Sequence, residues 1–278
     1  MKVAIQGEIG SNSHMAVLAM LGEVAELELV PCVVSGEVLA KVAAGDVDGA
    51  VLPIENSLHG SVAEHYDLLL ELPVRIERES LLRIRHNLIA APGVKLAEVR
   101  RVLSHPVALS QCRQFLAAHP EIEVVPFYDT AGSVKHLMAS GLRNVAGIAP
   151  DLAAKEYGAE VLMAGVEDHA ENYTRFHLIR REDAAEGAIG SDMRPADKMS
   201  LAFAVDHRPG TLVAALEQLA TAGVNLTKIE SRPVPGSPWE YVFYVDVRFD
   251  TAAKAETALS SLREHCRMTK VLGRYRAA

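Results

Sequence analysis

The chain has 278 residues, of which 49% are hydrophobic, and its formal net charge at pH 7 is −8. This length and apolar content suit one large domain or two ordinary domains that fold without disulfide or metal support. The sequence has no Lys/Arg-rich stripe with aromatic residues between, and together with the acidic balance this argues against nucleic acid as a partner.

The cysteines Cys32, Cys112 and Cys266 are far apart and form no C-x-x-C pair. This spacing argues against a disulfide framework and structural zinc, and it fits a reducing compartment. The sequence shows no secretion signal, and no stretch approaches the roughly 20 apolar residues of a membrane helix. We therefore expect a cytoplasmic protein with a small ligand, no membrane contact and no metal site.

Strand-like apolar runs alternate with helical stretches through the first 180 residues. The runs lie at residues 3–6, 28–31, 49–54, 74–84, 102–104, 124–127 and 145–149. This alternation is typical of an α/β fold with a mainly parallel sheet. A new run begins near residue 86, and after Gly147 the chain returns through residues 151–158 toward residues 172–180. We therefore expect two lobes joined by a hinge, with a cleft between them.

Residues 182–197 have the composition of an exposed linker, with Gly, Pro and several acids but almost no bulky apolar side chain. A second domain is predicted at 198–278 with the order strand, helix, strand, strand, helix, strand. This βαββαβ order is that of a ferredoxin-like sandwich. The predicted division of the chain is therefore 1–181, with a second lobe at about 86–165, then the linker and the C-terminal domain.

Five polar clusters follow strand-like runs, at the positions where open α/β sheets bind ligands. They are residues 7–13, 55–57, 104–105, 129–130 and 172–175. The first joins a strand to a helix, so its backbone N–H groups suit an anion, although it lacks the G-x-G-x-x-G spacing. The alternative is a tight turn in which Ser11 or Ser13 caps the helix.

The second and third clusters each allow two interpretations. Glu55, Asn56 and Ser57 follow a buried-looking run and either line a site or form an Asx-type turn in an ordinary loop. His105 is a candidate acid, but it is equally suited to packing against Pro106 in a loop.

The sequence around each remaining candidate residue indicates its role. Cys112 lies on an apolar helix face and is expected in the core rather than as a nucleophile. Asp129 is a natural helix N-cap, which leaves Thr130 as the better ligand candidate. Arg175 carries a donor fork suited to a carboxylate, and Thr174 can donate to a leaving oxygen, although this segment also fits an edge strand.

Taken in order, these clusters resemble the prephenate dehydratase family over nearly the whole chain. The matching motifs are Gly-x-x-Gly-Ser at 7, Pro-Ile-Glu-Asn-Ser at 53, Ser-His-Pro-x-Ala at 104 with Gln111-Cys112, Asp-Thr-Ala at 129, and Thr-Arg-Phe at 174. The C-terminal stretches Pro209-Gly210-Thr211-Leu212 and 225–233 look like those of an ACT regulatory domain. The resemblance implies a two-lobed, periplasmic-binding-protein-like catalytic domain followed by an ACT domain.

The resemblance also implies a reaction, in which prephenate becomes phenylpyruvate, water and carbon dioxide on the route to L-phenylalanine, with no cofactor. Thr174 would donate to the departing hydroxyl and Arg175 would grip a carboxylate, with Glu55 as a third catalytic residue. The implied substrate-binding residues are Ser13, Asn56, Ser57, Ser104, Gln111, Thr130 and Phe176.

Allosteric regulation by L-phenylalanine is implied as well. The implied effector-binding residues are Gly210, Thr211, Leu212, Asn225, Leu226, Glu230, Ser231, Arg232 and Pro233. ACT-type sheets commonly pair at their edges, so we expect a homodimer or homotetramer assembled through these domains.

Three positions depart from the family pattern: Asn12 replaces an aromatic residue, Val107 replaces Gln and Thr211 replaces Ala. The first two leave arogenate open as an alternative substrate, whose ammonium Glu55 could meet. The third lies in the expected effector pocket. A non-catalytic cytosolic amino-acid sensor is the alternative from a different functional class.

Overall fold

The computed structural model describes residues 1–22, 26–185, 194–234, 236–237 and 239–278. The first elements are β1 (Lys2–Gln6), α1 (Asn12–Leu21), β2 (Glu28–Cys32), α2 (Ser35–Ala44), β3 (Gly49–Asn56), β4 (Gly60–Ser61), α3 (Ala63–Glu71) and β5 (Val74–Arg83). The next are β6 (Asn87–Ala90), a 3₁₀ helix (Leu96–Glu98), β7 (Arg101–Ser104), α4 (Pro106–Ser110), α5 (Arg113–Ala118), β8 (Glu123–Pro126), α6 (Thr130–Ala139), β9 (Val145–Ala149), α7 (Asp151–Tyr157) and β10 (Glu160–Met163). The last are β11 (Tyr173–Arg181), β12 (Lys198–Ala204), α8 (Thr211–Thr221), β13 (Asn225–Pro233), β14 (Tyr241–Arg248), α9 (Ala252–His265) and β15 (Met268–Tyr275).

These strands form two sheets, which confirms the predicted α/β fold with two lobes. One has ten strands in the order β13-β14-β12-β15-β5-β11-β3-β1-β2, with β4 paired to β3, and the other has five in the order β10-β6-β9-β7-β8. We call β1 to β5 with β11 the first lobe, β6 to β10 the second lobe, and β12 to β15 the C-terminal region.

The expectation of a mainly parallel sheet is wrong, because both sheets are mixed. Strand β1 pairs in parallel with β2 and β3, but β11 pairs antiparallel with both β3 and β5. Strand β5 leads out of the first lobe and β11 leads back into it, so these two strands run in opposite directions. In the second lobe β7 pairs in parallel with β8 and β9, whereas β6 pairs antiparallel with β9 and β10.

The two chain crossings between the lobes are tied to each other by backbone hydrogen bonds. Ile84 N donates to Asn172 O at 2.7 Å, and Val166 N donates to His86 O at 2.8 Å. The side chain of Glu167 also accepts from the His86 N–H at 2.9 Å. The hinge is therefore a paired structure that fixes the lobes relative to each other.

The C-terminal region has the predicted βαββαβ order, with its strands arranged β13-β14-β12-β15. Its core is built by apolar side chains of these strands and of α8 and α9. One connection was not expected: β15 pairs with β5 through Gly273 and Ile76, so the C-terminal strands continue the sheet of the first lobe. A Cβ on Gly273 would lie 2.3 Å from Ile76 O, so only glycine permits this approach.

The cysteines and the helices complete the comparison with the sequence. All three cysteines are free, and Cys112 is fully buried, which confirms its expected place in the core. None of the helices in the described ranges has the length and hydropathy that crossing a bilayer requires. Half of the predicted linker, residues 186–193, lies outside the described residues.

Candidate active site

A cleft of about 490 Å³ lies between the two lobes. Its polar lining consists of Gln6, Glu8, Ser11, Asn12, Ser13, Glu55, Asn56 and Thr174 from the first lobe, His86 from the hinge, and His105, Gln111, Tyr128, Asp129 and Thr130 from the second lobe. Among the described residues that line this cleft, none is Lys or Arg. The cleft is therefore rich in neutral hydrogen-bonding groups.

Asn56 and Thr174 face each other across the β3–β11 pair on the cleft side of the sheet. Asn56 Oδ1 accepts the backbone N–H groups of Leu58 and His59, each at 3.0 Å, which is the Asx-type turn expected from the sequence. This turn directs the amide N–H₂ of Asn56 toward Thr174 Oγ1 at 2.9 Å. In the part of the chain that the structure describes, the Thr174 hydroxyl accepts this bond and donates none, so its hydrogen can point into the cleft.

The polar network continues from the first lobe into the second. Asn56 also donates to Asn172 Oδ1 at 2.7 Å, and the fully buried Asn172 donates to Gln111 Oε1 at 3.0 Å. His86 Nε2 lies 2.7 Å from the same Gln111 oxygen. Burial lowers the pKa of His86, outweighing its hydrogen bond to Gln111 Oε1 and the charge of Glu167, so its imidazole is neutral near pH 7. The hydrogen-bond network around Thr174 therefore consists of uncharged groups, and it holds the Asn56 amide in place beside the Thr174 hydroxyl.

Two helices of ten residues begin at the cleft. Ser11 caps α1 and accepts the His14 N–H at 3.4 Å. Asp129 caps α6 and accepts the Gly132 N–H at 2.7 Å, as expected from the sequence. Burial raises the pKa of Asp129, although the Gly132 N–H acts in the opposite direction. The first N–H groups of each helix have no partner within the helix and carry its positive dipole end.

Side chains and backbone of the two lobes also touch on the α1 side of the cleft. Glu8 accepts hydrogen bonds from Tyr128 and from Lys135, both at 2.8 Å. Tyr157 Oη donates to Ile9 O at 2.8 Å. The structure therefore has its lobes in contact on both the hinge side and the α1 side of the cleft.

Arg175 does not line the cleft, and Glu55 lies at its border with its carboxylate engaged by cations. Arg175 Nη1 lies 2.9 Å from Glu79, and Arg175 Nε lies 3.4 Å from Glu55 Oε2. The other oxygen of Glu55 lies 2.8 Å from Lys228 Nζ. Successive side chains of a strand point to opposite faces, so a cleft position for Thr174 and Asn56 places Arg175 and Glu55 behind the sheet. Glu55 still borders the cleft, but both of its carboxylate oxygens face cations.

The charges behind the sheet are largely buried. Lys198 Nζ lies 2.7 Å from Glu79 and 3.0 Å from Asp246, and all three side chains are less than 10% exposed. Burial acts to raise the pKa of both carboxyls, but Lys198 together with other nearby charges and hydrogen bonds outweighs it, so both pKa values are lowered. For Arg175, burial is likewise outweighed by these carboxylates, so its pKa is raised. The carboxyls of Glu79 and Asp246 and the guanidinium of Arg175 are therefore charged near neutral pH.

The chain is similar to proteins of a known enzyme family. The family model described as "Prephenate dehydratase" matches residues 3–184. The chain belongs to the prephenate dehydratase family. A curated relative from Arabidopsis thaliana, "Arogenate dehydratase/prephenate dehydratase 2, chloroplastic", is 38% identical over 285 residues, covering 99% of this chain and 72% of the relative.

Two solved structures resemble the whole chain. The prephenate dehydratase of Arthrobacter aurescens in complex with L-Phe has a TM-score of 0.87 at 32% identity, covering 99% of this chain and 90% of the other. A structure titled "GqqA- a novel type of quorum quenching acylases" has a TM-score of 0.87 at 33% identity, covering 100% and 98%. Both likenesses extend over the catalytic lobes and the C-terminal region.

The other predicted substrate residues of this prephenate dehydratase family member divide into two groups. Ser13, Asn56, Gln111, Thr130 and Phe176 line the cleft together with Thr174. Two serines do not, and each is already engaged elsewhere. The fully buried Ser104 donates to Ile148 O at 2.6 Å. Ser57 lies past the end of β3, accepts the Tyr173 N–H at 3.0 Å and lies 3.4 Å from Glu171 O.

The predicted effector residues also fall in two places. Thr211 and Leu212, next to Gly210 at the start of α8, line a separate pocket of about 360 Å³ that includes Tyr241 and Phe243. On β13, by contrast, the side chains of Glu230 and Arg232 contact the first lobe of the same chain, at Ser61 and Asp67 respectively. The remaining predicted members of that strand are Asn225, Leu226, Ser231 and Pro233.

Sequence reasoning missed three residues that shape the site, namely His86, Asn172 and Lys228. Asn172 stood in a noted polar cluster, and its place beside the strand of Thr174 was the signal that could have found it. His86 stands at the start of a noted run and could have been found as a polar residue at a hinge. Lys228 contacts Glu55 from 173 positions away, so no local pattern reveals it.

Within the described part of the chain, no three or more His, Cys, Asp or Glu side chains are grouped to hold a metal ion. Burial raises the pKa of the Cys112 thiol to about 12, which removes its nucleophilic form near neutral pH. The polar groups of the cleft therefore suit binding and hydrogen-bond donation to an oxygen.

Proposed function

We propose that this chain converts prephenate into phenylpyruvate, water and carbon dioxide in its inter-lobe cleft, as a step in L-phenylalanine biosynthesis. The observation that carries the proposal is the Thr174 hydroxyl, which receives a hydrogen bond from Asn56 and has its own hydrogen free for a cleft ligand. A donor held in this way can stabilise an oxygen that gains negative charge as it leaves.

The chemistry requires little beyond positioning and one proton. The bond between the ring carbon and its carboxylate breaks, its electron pair enters the ring, and the bond to the ring hydroxyl breaks on the opposite side. The hydroxyl takes up one proton from the solvent and leaves as water, the carboxylate leaves as carbon dioxide, and the ring becomes aromatic. Thr174 donates a hydrogen bond to the leaving oxygen, because a threonine hydroxyl is too weak an acid to give up its proton readily.

Helix N-termini supply the charge complement for the two substrate carboxylates. The N-terminal N–H groups of α1 and α6 flank the cleft, and the hydroxyls of Ser13 and Thr130 lie beside them. Such groups stabilise anions through hydrogen bonds and the helix dipole. This replaces the role that the sequence assigned to Arg175, whose guanidinium is paired behind the sheet.

The test is formation of phenylpyruvate from prephenate by the purified protein, followed by absorbance against a protein-free control for spontaneous decay. The proposal expects enzyme-dependent turnover that is proportional to protein concentration. A rate equal to the spontaneous rate would contradict it, and it would favour the non-catalytic amino-acid sensor.

The ion pairs that Glu55 makes with Lys228 and Arg175 favour prephenate over arogenate as the substrate. The sequence made Glu55 the candidate partner for the ammonium of arogenate, but its carboxylate already lies between Lys228 and Arg175. A carboxylate with two cations has little capacity for a third. We therefore expect kcat/KM to be higher for prephenate than for arogenate, and parallel kinetics with both substrates test this.

An acylase activity like that named for one structural relative has weaker support. It would need a nucleophile activated by a base, and the pair closest to that pattern is Ser110 with His59 at 3.2 Å. Gln111 donates to His59 Nδ1 at 3.0 Å, which leaves the proton on Nε2, and Ser110 itself donates to Val107 O. His59 therefore donates toward Ser110 and cannot accept its proton. We expect no amide hydrolysis.

Regulation by L-phenylalanine is part of the proposal. The pocket formed by Thr211, Leu212, Tyr241 and Phe243 has the size and the apolar walls for an aromatic amino acid, and a structural relative was solved with L-Phe. We expect L-phenylalanine at millimolar concentration to change both the prephenate rate and the melting temperature. If both stay unchanged, this part of the proposal fails.

Self-association through the C-terminal region completes the proposal. Strand β13 is at the end of the ten-stranded sheet, so one of its edges is paired with no described strand, and Ile229 on it is 44% exposed. Such an edge can pair with a second copy. Light scattering coupled to gel filtration should give the mass of a dimer or tetramer, and a monomer mass would contradict this part.

A further inference from the structure

Charged side chains of the C-terminal region hold the back of the two strands that carry Asn56 and Thr174. Lys228 Nζ lies 2.8 Å from Glu55 Oε1, and Glu55 Oε2 lies 3.4 Å from Arg175 Nε. Arg175 Nη1 in turn lies 2.9 Å from a carboxylate oxygen of Glu79. The same oxygen lies 2.7 Å from Lys198 Nζ. We call Lys228, Glu55, Arg175, Glu79 and Lys198 the charge chain.

The charge chain alternates in sign and is most buried at its Glu79–Lys198 end. Glu79 and Lys198 are each 3% exposed and Lys228 is 11% exposed, whereas Arg175 and Glu55 are 24% and 29% exposed. Removing one partner of the buried Glu79–Lys198 pair would leave the other charge uncompensated, so this end of the charge chain is firmly anchored. Lys228 also lies 2.8 Å from Ser61 Oγ on β4, which fixes its ammonium from a second side.

On each of the two strands that the charge chain holds, a residue of the charge chain is adjacent in sequence to a residue that lines the cleft. Glu55 precedes Asn56 on β3, and Arg175 follows Thr174 on β11, with the pairs Glu55/Arg175 and Asn56/Thr174 in register. A shift of the ion pair behind the sheet therefore moves the amide and hydroxyl in front of it. Displacements near 1 Å at reacting groups cost on the order of 100-fold in rate.

We infer that Lys228, supplied by the C-terminal region, is a positioning residue for the dehydration: through Glu55 and Arg175 it sets the relative placement of Asn56 and Thr174. This inference rests on the proposed function. Lys228 lies on β13, the strand that also carries expected effector-binding residues. The inference therefore connects that strand to the cleft.

A matched contact on the same strand provides the control. Arg232 lies two residues along the same face from Glu230 and four from Lys228, and its Nη2 lies 2.8 Å from Asp67 Oδ2. Asp67 is on α3, not on a cleft strand. Loss of this contact removes an ion pair between the same two parts of the chain without touching Glu55.

The experiment compares Lys228→Met and Asp67→Asn in steady-state kinetics with prephenate. For Lys228→Met we expect kcat to fall by about 10-fold or more, with KM within about threefold, because Lys228 does not line the cleft. For Asp67→Asn, which removes the ion pair with Arg232, we expect kcat within about twofold of the wild type. Lys228→Arg should recover most of the lost kcat, since it restores the cation. Should Lys228→Met not fold, Lys228→Gln, which keeps a donor for Ser61, replaces it.

Three results would overturn the inference. They are an unchanged kcat in a folded Lys228→Met or Lys228→Gln protein, an equal loss in Asp67→Asn, and a loss confined to KM. An inactive wild-type protein is a different outcome: it contradicts the proposed function, and the inference falls with it. Activity in the wild type with no effect of Lys228 rejects the inference alone.

Discussion

Asn56 Nδ2 donates to Thr174 Oγ1 at 2.9 Å, and the direction of this bond is set by the turn in which Asn56 lies. The amide oxygen is occupied by two backbone N–H groups, so the amide N–H₂ must face Thr174. The hydroxyl is thereby made an acceptor on one side and a donor toward the cleft on the other.

Asn56→Asp should reverse this bond. A carboxylate can still accept the N–H groups of Leu58 and His59, so the turn is kept, but it would accept the Thr174 hydrogen instead of donating to it. We expect kcat for prephenate to fall by about 100-fold, in line with the loss of a preorganised donor. Steady-state kinetics and circular dichroism of the variant measure the two effects, and a folded variant with more than half of the wild-type kcat would refute the assignment.

His177 should make the protein less stable as the pH falls from neutral. Burial lowers its pKa to about 4, although Asp246 and Glu79 act in the opposite direction, and its ordinary value is 6.5. Between these two values the unfolded chain binds a proton that the folded chain does not. The free energy of unfolding therefore decreases as pH falls from 6.5 toward 4, by about 1.5 kcal/mol down to pH 5.

His177→Asn tests this contribution, because an amide does not titrate. Urea unfolding at pH 7 and pH 5 should show a smaller pH dependence for the variant than for the wild type. Some dependence should remain, since burial also lowers the pKa values of His14, His65 and His86. Equal pH dependence in both proteins would show that His177 does not stay neutral in the folded state.

Gly273→Ala should weaken the junction between the C-terminal region and the first lobe. The new Cβ would lie 2.3 Å from Ile76 O and 2.7 Å from Ile76 Cβ, so β15 and β5 must separate. We expect a loss of at least about 2 kcal/mol in the free energy of unfolding. Thermal melting measures it, with Gly36→Ala as the control, because no atom lies within 4 Å of a Cβ there. Equal melting temperatures for the two variants would contradict the close approach.

Thr211→Ala should affect stability more than effector binding. The Thr211 hydroxyl lies 2.6 Å from Asp206 O and 2.9 Å from Arg208 O, so it is engaged with the loop before α8. Its loss should lower the free energy of unfolding by about 1 kcal/mol. Calorimetry with L-phenylalanine should give a dissociation constant within about threefold of the wild type, and a tenfold change would place the hydroxyl in the effector contact.

The fold was largely predictable, and the orientation of the site was not. Strand and helix periodicity in residues 3–6, 49–54 and 145–149 predicted the two-lobed α/β core, and the C-terminal βαββαβ order followed from the same signals. The mixed sheets were missed because strand direction depends on how β5 and β11 cross the hinge, which local patterns do not encode.

For the site, motif order identified the right stretches but not which side chains enter the cleft. Glu55 and Arg175 stand beside Asn56 and Thr174 in sequence, yet strand alternation places them on opposite faces. Alternation was a usable signal for this division. The partner of Glu55, Lys228, was beyond sequence reasoning, because the contact depends on how β13 packs against the first lobe.

The most direct measurement of the central claim is kcat for phenylpyruvate formation by Thr174→Val, with Thr174→Ser beside it. Valine keeps the shape of threonine and removes the hydroxyl, whereas serine keeps the hydroxyl. The account predicts that Thr174→Val, folded and able to bind prephenate, loses about 100-fold or more in kcat, while Thr174→Ser stays within about tenfold of the wild type. A Thr174→Val protein with near wild-type kcat would contradict the account.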